Sequence, residues 1–357
     1  MNTEIFMNKF NQTVLMAALV SSGANAANVD IDGNATLGLM YSVKASQGDR
    51  DHQFSVESGT ADPNGMAALN FSSHVDGKNH DKYYYFLGTL TDFDGSNAGL
   101  NGTGTTETKN EYNLMLNEAY VGYANRNYDV RAGQLDSLTY AWVGSLNANG
   151  WKYNYNIAVD PAWELRNSNV LRFTTQQGPV QLGIQSAMNR ANSYDYTYIE
   201  LGAKAKLAGL DISFVHQDVN DATSTNPYAH RNTNAVGLEY SLGQPSKQSV
   251  LGGLTLMGTY ADYSDQATAN ATGQKSEENS YSIGLKTDHT AILYQTGIAH
   301  DRARWNVMHT KPINEHITLG MEAQFGSKNY YDITNNATDD ATTREYEFIV
   351  GYVTYTL

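Results

Sequence analysis

From Val29 onward the chain alternates with a period of two. Odd positions read Val29, Ile31, Gly33, Ala35, Leu37, Leu39, Tyr41 and Val43; even positions read Asp30, Asp32, Asn34, Thr36, Gly38, Met40, Ser42 and Lys44. Successive side chains of a strand point to opposite faces, so this stretch predicts one long strand with an apolar and a polar face. Strands in soluble sandwiches usually stop after about five or six residues. A run this long suits a tilted strand that crosses a membrane. The rule recurs at Ile199, Leu201, Ala203, Ala205 and Leu207 against Glu200, Gly202, Lys204 and Lys206. It recurs again at Ile317, Leu319, Met321, Ala323 and Phe325 against His316, Thr318, Gly320, Glu322 and Gln324. Shorter runs follow it within 180–185, 236–240 and 281–286. No segment longer than a turn or two has helical periodicity.

Strand candidates fall at 29–44, 65–73, 82–92, 112–124, 128–135, 168–175, 179–188, 195–207, 210–216, 232–242, 253–261, 280–287, 290–298, 304–309, 316–325 and 344–357. Short turns at Asn125–Asn127, Gln176–Gly178, Ala208–Gly209 and Asp288–His289 tend to alternate with polar loops at 45–64, 93–111, 136–167, 217–231, 262–279 and 326–343. An even strand count, with short connections at one end and long ones at the other, predicts an all-β fold: a transmembrane antiparallel β-barrel of about 16 strands. In lipid, two-faced strands satisfy their backbone only when the sheet closes. The competing reading is a secreted all-β sandwich, such as a non-conducting surface adhesin.

Composition sharpens this picture. The chain has 357 residues, a formal charge of −14 and no Cys. Its mean hydropathy is −0.48. The longest apolar run is Val14–Val20, far short of the roughly 20 residues a spanning helix needs. The acidic balance excludes duplex nucleic acid as a partner, because nothing neutralises the phosphates. The lack of Cys excludes disulfide frameworks and thiolate chemistry. The 25 Tyr suit aromatic girdles at the two membrane interfaces. At the N-terminus, Lys9, the apolar run and Ala24-Asn25-Ala26 predict a cleaved signal peptide over 1–26, leaving 27–357 as the barrel domain. Met7 offers a second start position within that segment.

Three passages resemble the Gram-negative general porin family, the trimeric sixteen-stranded barrels. Asn117–Tyr123 followed by Asp129–Asp136 is similar to the family's fourth and fifth strands. Arg166–Phe173, followed by Gly178-Pro179, is similar to the strand pair after its third loop. Ile349–Leu357 resembles the C-terminal assembly signal, with Ile349, Gly351, Val353, Tyr355 and Leu357 on one face. The chain departs from the family at Leu357, where Phe is usual, at Gln134, where Arg is usual, and in a third loop without the Pro-Glu-Phe-Gly-Gly stretch. The resemblance implies a homotrimer in the outer membrane, in contact with the lipid bilayer and lipopolysaccharide. It also implies a third loop, 136–167, folded inward. Asp136, Asp160 and Glu164 would form the acidic side of the constriction, facing Lys44, Arg131, Gln134 and Arg172 on the wall. Gln134 has the parity of Val130 and Ala132, so it reaches the lumen only where the strand bulges or ends. Such charges would set a transverse field, or would simply meet water or pair locally. The net charge and the missing Arg point to a weak preference for cations. Acids at 262, 265, 277, 278, 339 and 340 would line external loops that hold divalent cations shared with lipopolysaccharide.

The third loop also holds three of the four Trp: Trp142, Trp151 and Trp163. Trp151, Tyr153 and Tyr155 alternate with Lys152, Asn154 and Asn156. Two roles stay open for these rings. They stack on sugars, as in an oligosaccharide-selective porin resembling the chitoporins, or they anchor the loop to the barrel. An enzyme is not expected. Asp288-His289 sits at a turn on the wrong end for a rim protease, and the nine His have no HExxH spacing. No cofactor or metal site is expected. The function the sequence predicts is passive diffusion of ions and small hydrophilic solutes.

Overall fold

The computed structural model describes residues 28–44, 53–59, 66–77, 81–92, 114–147, 166–187, 196–221, 230–242, 253–265, 277–297, 302–325 and 347–357. The expected signal peptide lies outside them. Among the described residues, seventeen strands form one sheet. They are β1 (Asn28–Lys44), β2 (Gln53–Gly59), β3 (Met66–Asp76), β4 (Lys82–Asp92), β5 (Leu114–Ala124), β6 (Tyr128–Asp136), β7 (Arg166–Gln177), β8 (Val180–Ala187) and β9 (Tyr196–Leu207). There follow β10 (Leu210–Asp221), β11 (His230–Ser241), β12 (Thr255–Asp265), β13 (Glu277–Lys286), β14 (Thr290–Gly297), β15 (Arg302–Pro312), β16 (Ile317–Phe325) and β17 (Glu347–Thr356). A short helix, α1 (Leu138–Trp142), follows β6.

The ring has sixteen staves, because β2 and β3 share one position. β1 pairs with β2 through Thr36–Ser42 and with β3 through Asn28–Asn34. Each later strand pairs antiparallel with the next, and β1 closes on β17 from Asn34 opposite Thr356 to Lys44 opposite Glu347. The Thr36 and Thr354 hydroxyls meet at 2.8 Å across this seam. β2 lies in the stretch expected as loop 45–64. Strands β10, β11, β12 and β13 also run further than expected at the loop end, so Asp262, Asp265, Glu277 and Glu278 belong to strand ends and not to a loop. The sequence of these tips is mostly polar, as in Asp262-Tyr263-Ser264-Asp265 and Glu277-Glu278-Asn279, which erases the period-two signal there.

Parity separates the faces. Leu171, Phe173, Leu182, Ile184, Leu201, Ile283 and Met321 are exposed on the outside. Thr174, Gln185, Glu200, Gln217, Ser282 and Gln324 are buried on the inside. An apolar band facing out and polar groups facing in is what lipid and a watery lumen require. Among the described residues no helix is long and apolar enough to cross a membrane.

The short turns are built by local hydrogen bonds. Asn125 Oδ1 accepts from the backbone N–H of Asn127 and Tyr128 at 2.8 and 3.0 Å. Asn314 Oδ1 does the same for His316 and Ile317 at 2.9 and 2.8 Å. These side-chain bonds replace turn backbone bonds. Ala208 and Gly209 both have positive φ, 48° and 85°, the twist a two-residue hairpin needs. Elsewhere, large interior aromatics lie over glycines one strand away. A Cβ on Gly320 would stand 2.1 Å from the Tyr352 ring, and one on Gly122 would stand 2.3 Å from the Tyr84 ring.

Candidate functional site

The interior wall carries one continuous register row. His74, Tyr84, Gly122, Arg131, Arg172, Gln185, Glu200, Gln217 and Thr233 are successive cross-strand neighbours from β3 to β11. Directly opposed side chains on one face interact, and this row is bonded along much of its length. Arg131 Nε donates to the Tyr84 hydroxyl at 3.0 Å, and its Nη2 meets Asp129 at 3.0 Å. The Tyr84 hydroxyl donates to Asp129 Oδ1 at 2.6 Å. The Arg131 guanidinium lies 5.3 Å from the Tyr120 ring centroid, within cation–π range. Arg172 is 7% exposed. Its Nε donates to Gln185 Oε1 at 2.5 Å, and its Nη2 donates to the Asp136 carbonyl.

Asp136 therefore enters the site through its main chain. Its carbonyl also accepts from Gln185 Nε2 at 3.1 Å, and its N–H donates to Glu118 Oε1 at 3.1 Å. From here residues 137–147 pack on the interior face of β8–β12. Ser137 starts α1 as its N-cap, its hydroxyl accepting from the Tyr140 N–H at 3.0 Å, the usual role of Ser there. Glu200, fully buried, accepts from Leu138 N–H at 2.6 Å, Thr139 N–H at 2.9 Å, the Thr139 hydroxyl at 2.5 Å and Gln217 Nε2 at 3.1 Å. These bonds satisfy first-turn N–H groups that a helix leaves open.

Trp142 completes the anchor. Its ring is seated over Gly183 and Gly202, where a Cβ on either would stand 2.6 Å from ring carbons. Its carbonyl accepts from the Ser213 hydroxyl at 2.7 Å. Leu138, Val143, Val215, Ala235 and Ala261 pack around it. Toward the short-turn end, two interior bases are paired: Lys206 with Asp211 at 3.3 Å and Lys286 with Glu239 at 2.9 Å. On β15 and β16, buried Arg304 donates to Gln295 at 2.6 Å and to Gln324 at 3.2 Å.

The expected wall residues Arg131 and Arg172 are thus brought together, with Asp136 at their side. Gln134 is not with them. β6 and β7 shift register between Gly133 and Leu135, but the extra residue is in β7, where Val170 and Asn167 face those two positions. Parity along β6 is kept, so Leu135 turns inward and is fully buried with Val170, Ala187 and Tyr120. Gln134 faces outward, opposite Ala119. Gly133 has φ +148°, and a Cβ there would stand 2.1 Å from the Ala119 carbonyl; only glycine permits that approach. Lys44 stands opposite Glu347 in register; its side chain lies outside the described set. So do Asp160, Glu164, Trp151, Tyr153 and Trp163. Glu118, Thr139 and Tyr84 carry no motif in the sequence that marks them as site residues, and Gln185, Glu200 and Gln217 stand there only as strand or loop positions. The usable signal was a polar side chain of lumen parity flanked by apolar neighbours. Among the described residues no group of His, Asp or Glu could hold a metal ion.

A family model described as Gram-negative porin matches residues 13–354. No curated protein matches the chain in sequence. Among solved structures, the chain is similar to an anion-selective porin from Comamonas acidovorans, at 15% identity and TM-score 0.69, over 93% of this chain and 100% of that one. It is also similar to the outer membrane channel DcaP of Acinetobacter baumannii, at 12% identity and TM-score 0.64, over 93% and 98%. A loop-deletion form of OmpT, an outer membrane protein of Vibrio cholerae, matches at 11% identity and TM-score 0.62, over 93% and 100%. At these identities the likeness is one of fold.

Proposed function

The chain belongs to the Gram-negative porin family, and on that premise we propose that it forms a water-filled outer-membrane channel for passive diffusion of small hydrophilic solutes, with a weak preference for cations. The observation that carries this reading is the closed barrel with an apolar exterior, a polar interior and a loop segment fastened to the inner wall. Members of the family are channels, and an enzymatic role is not proposed. The short-turn end faces the periplasm, and the remaining third-loop residues, with Asp160 and Glu164, narrow the lumen opposite Arg131 and Arg172. The seat of Trp142 over two glycines favours an anchoring role for that ring over sugar stacking.

Cation preference follows from charge. The chain carries −14 overall, and a lumen lined by one sign of excess charge concentrates the opposite ion. Arg131, Lys206 and Lys286 each meet a carboxylate, which cancels much of their field. The anion-selective neighbour shares fold only, so its selectivity does not carry over.

A homotrimer is the proposed assembly. The outward face of β1–β6 offers Ala35, Ala119, Ala132 and Gln134 among its larger side chains. Later strands offer mainly Leu, Ile, Phe and Tyr. An amide such as Gln134 is costly against acyl chains and favourable against another subunit. The channel reading is tested by swelling of liposomes that contain the refolded protein. Neutral sugars should enter at rates that fall steeply with molecular size. Liposomes no more permeable than protein-free ones would contradict it.

A further inference from the structure

We propose that the interior wall near the short-turn end carries a binding subsite for a neutral hydroxylated ring, a mono- or disaccharide. A recess of about 400 Å³ opens there over β1 and β3–β6, a size within the usual range for small-molecule sites, roughly 300–1,000 Å³. It is remote in sequence from the third-loop aromatics, and nothing in the diffusion reading requires it.

One side of the recess is aromatic. Phe86 and Tyr120 are stacked with centroids 5.4 Å apart and planes at 23°. Tyr84 meets Tyr120 edge-on at 6.2 Å. The Arg131 guanidinium, also in the lining, lies over the Tyr84 and Tyr120 rings, 5.8 and 5.3 Å from their centroids. Its Nε and Nη2 are directed to Tyr84 and Asp129, while Nη1 meets no described acceptor. The other side carries Asp30, Ser72 and Lys82. Asp30 and Lys82 are exposed and make no hydrogen bond or ion pair with any described residue.

The chemistry of this lining selects its ligand. Asp30 and Asp129 balance Lys82 and Arg131, so a simple ion gains little net field. A polyol gains from both signs at once: its hydroxyls donate to Asp30 and accept from Lys82 and Arg131 Nη1. Hydrogen bonds to ionised groups are the stronger kind. The apolar C–H edge of the ring packs on the aromatic side, where large rigid side chains give contact area at low entropic cost. A fully apolar solute would leave those ionic groups unpaired, and a small anion would meet Asp30 as a repulsion.

The test uses the refolded full chain in a detergent without a sugar headgroup, with glucose and maltose titrated by saturation-transfer NMR. The expected result is saturable binding in the millimolar range. Asp30→Ala and Lys82→Ala should each weaken it by about tenfold, the loss of one charge-assisted hydrogen bond. Both side chains are exposed, and retained β-sheet circular dichroism checks the fold of each variant. Trp151→Ala should leave affinity unchanged. Absence of saturation would overturn the proposal. So would loss of binding only in Trp151→Ala, which puts the sugar on the third loop, or competition by acetate as effective as that by glucose, which makes the recess ionic. Because no ion flow is measured, a barrel that binds sugar yet does not conduct would contradict the diffusion reading alone.

Discussion

Glu200 fastens the start of the third loop with three hydrogen bonds, from the Leu138 and Thr139 N–H groups and the Thr139 hydroxyl, and accepts a fourth from Gln217 on the wall; the two N–H groups have no alternative acceptor nearby in α1. Glu200→Ala strands those donors in a buried place, at a cost of about 1–3 kcal/mol for each unsatisfied group. Glu200→Gln keeps one oxygen acceptor and should cost distinctly less. Thermal unfolding, followed by the gel-mobility shift of the folded barrel, should rank wild type above Glu200→Gln and Glu200→Gln above Glu200→Ala. Equal midpoints for all three would show that the loop does not depend on this carboxylate. Gly202 makes a complementary prediction. A Cβ there would stand 2.6 Å from the Trp142 ring, so Gly202→Val should unseat the ring. In a variant with Trp142 as its single Trp, fluorescence should shift to the red and become open to aqueous quenchers; an unchanged spectrum would contradict the seat. The sequence showed that Glu200 has lumen parity but not what it holds, because its loop partners lie 61 and 62 residues away and two of the three loop donors are backbone N–H groups. Asp136 was legible as a residue of the loop base, but its carbonyl and N–H bonds to Arg172, Gln185 and Glu118 were not, because no side-chain pattern reveals main-chain bonds.

At the scale of elements, alternation located nearly every strand because lipid on one side and water on the other constrain every second residue. It missed β2, whose few alternating residues, Phe54 and Val56 among polar neighbours, are too short a run to stand out from a loop. It also cut β10 to β13 short at the loop end, where the sequence is mostly polar at both parities. Gln134 is instructive: a bulge was the condition for it to face the lumen, and a register shift is present. The extra residue belongs to β7, so β6 keeps its phase and presents Gln134 outward. This gives the β1–β6 exterior its own prediction. Ala132→Trp should lower the fraction of trimer, seen by light scattering in detergent, because a bulky ring interrupts a close contact between subunits. Leu182→Trp, on the exterior of β8, should not. Equal effects would place the subunit contact elsewhere, and no trimer in wild type would refute it.

At the scale of the whole molecule, the seam between β1 and β17 and the shared stave of β2 and β3 close a ring that neither sequence end nor any single motif specifies. Closure leaves an enclosed polar wall inside a chain of net charge −14, and three interior bases near the short-turn end, Arg131, Lys206 and Lys286, meet carboxylates. This lumen is proposed to conduct, and to conduct cations more readily than anions. The direct measurement is the zero-current potential of the refolded protein in a planar bilayer, under a tenfold potassium chloride gradient. Stable conductance steps are expected, with a reversal potential of cation-selective sign that shrinks as salt screens the wall. An anion-selective potential would contradict the charge argument, and the absence of any conductance from folded protein would contradict the channel itself.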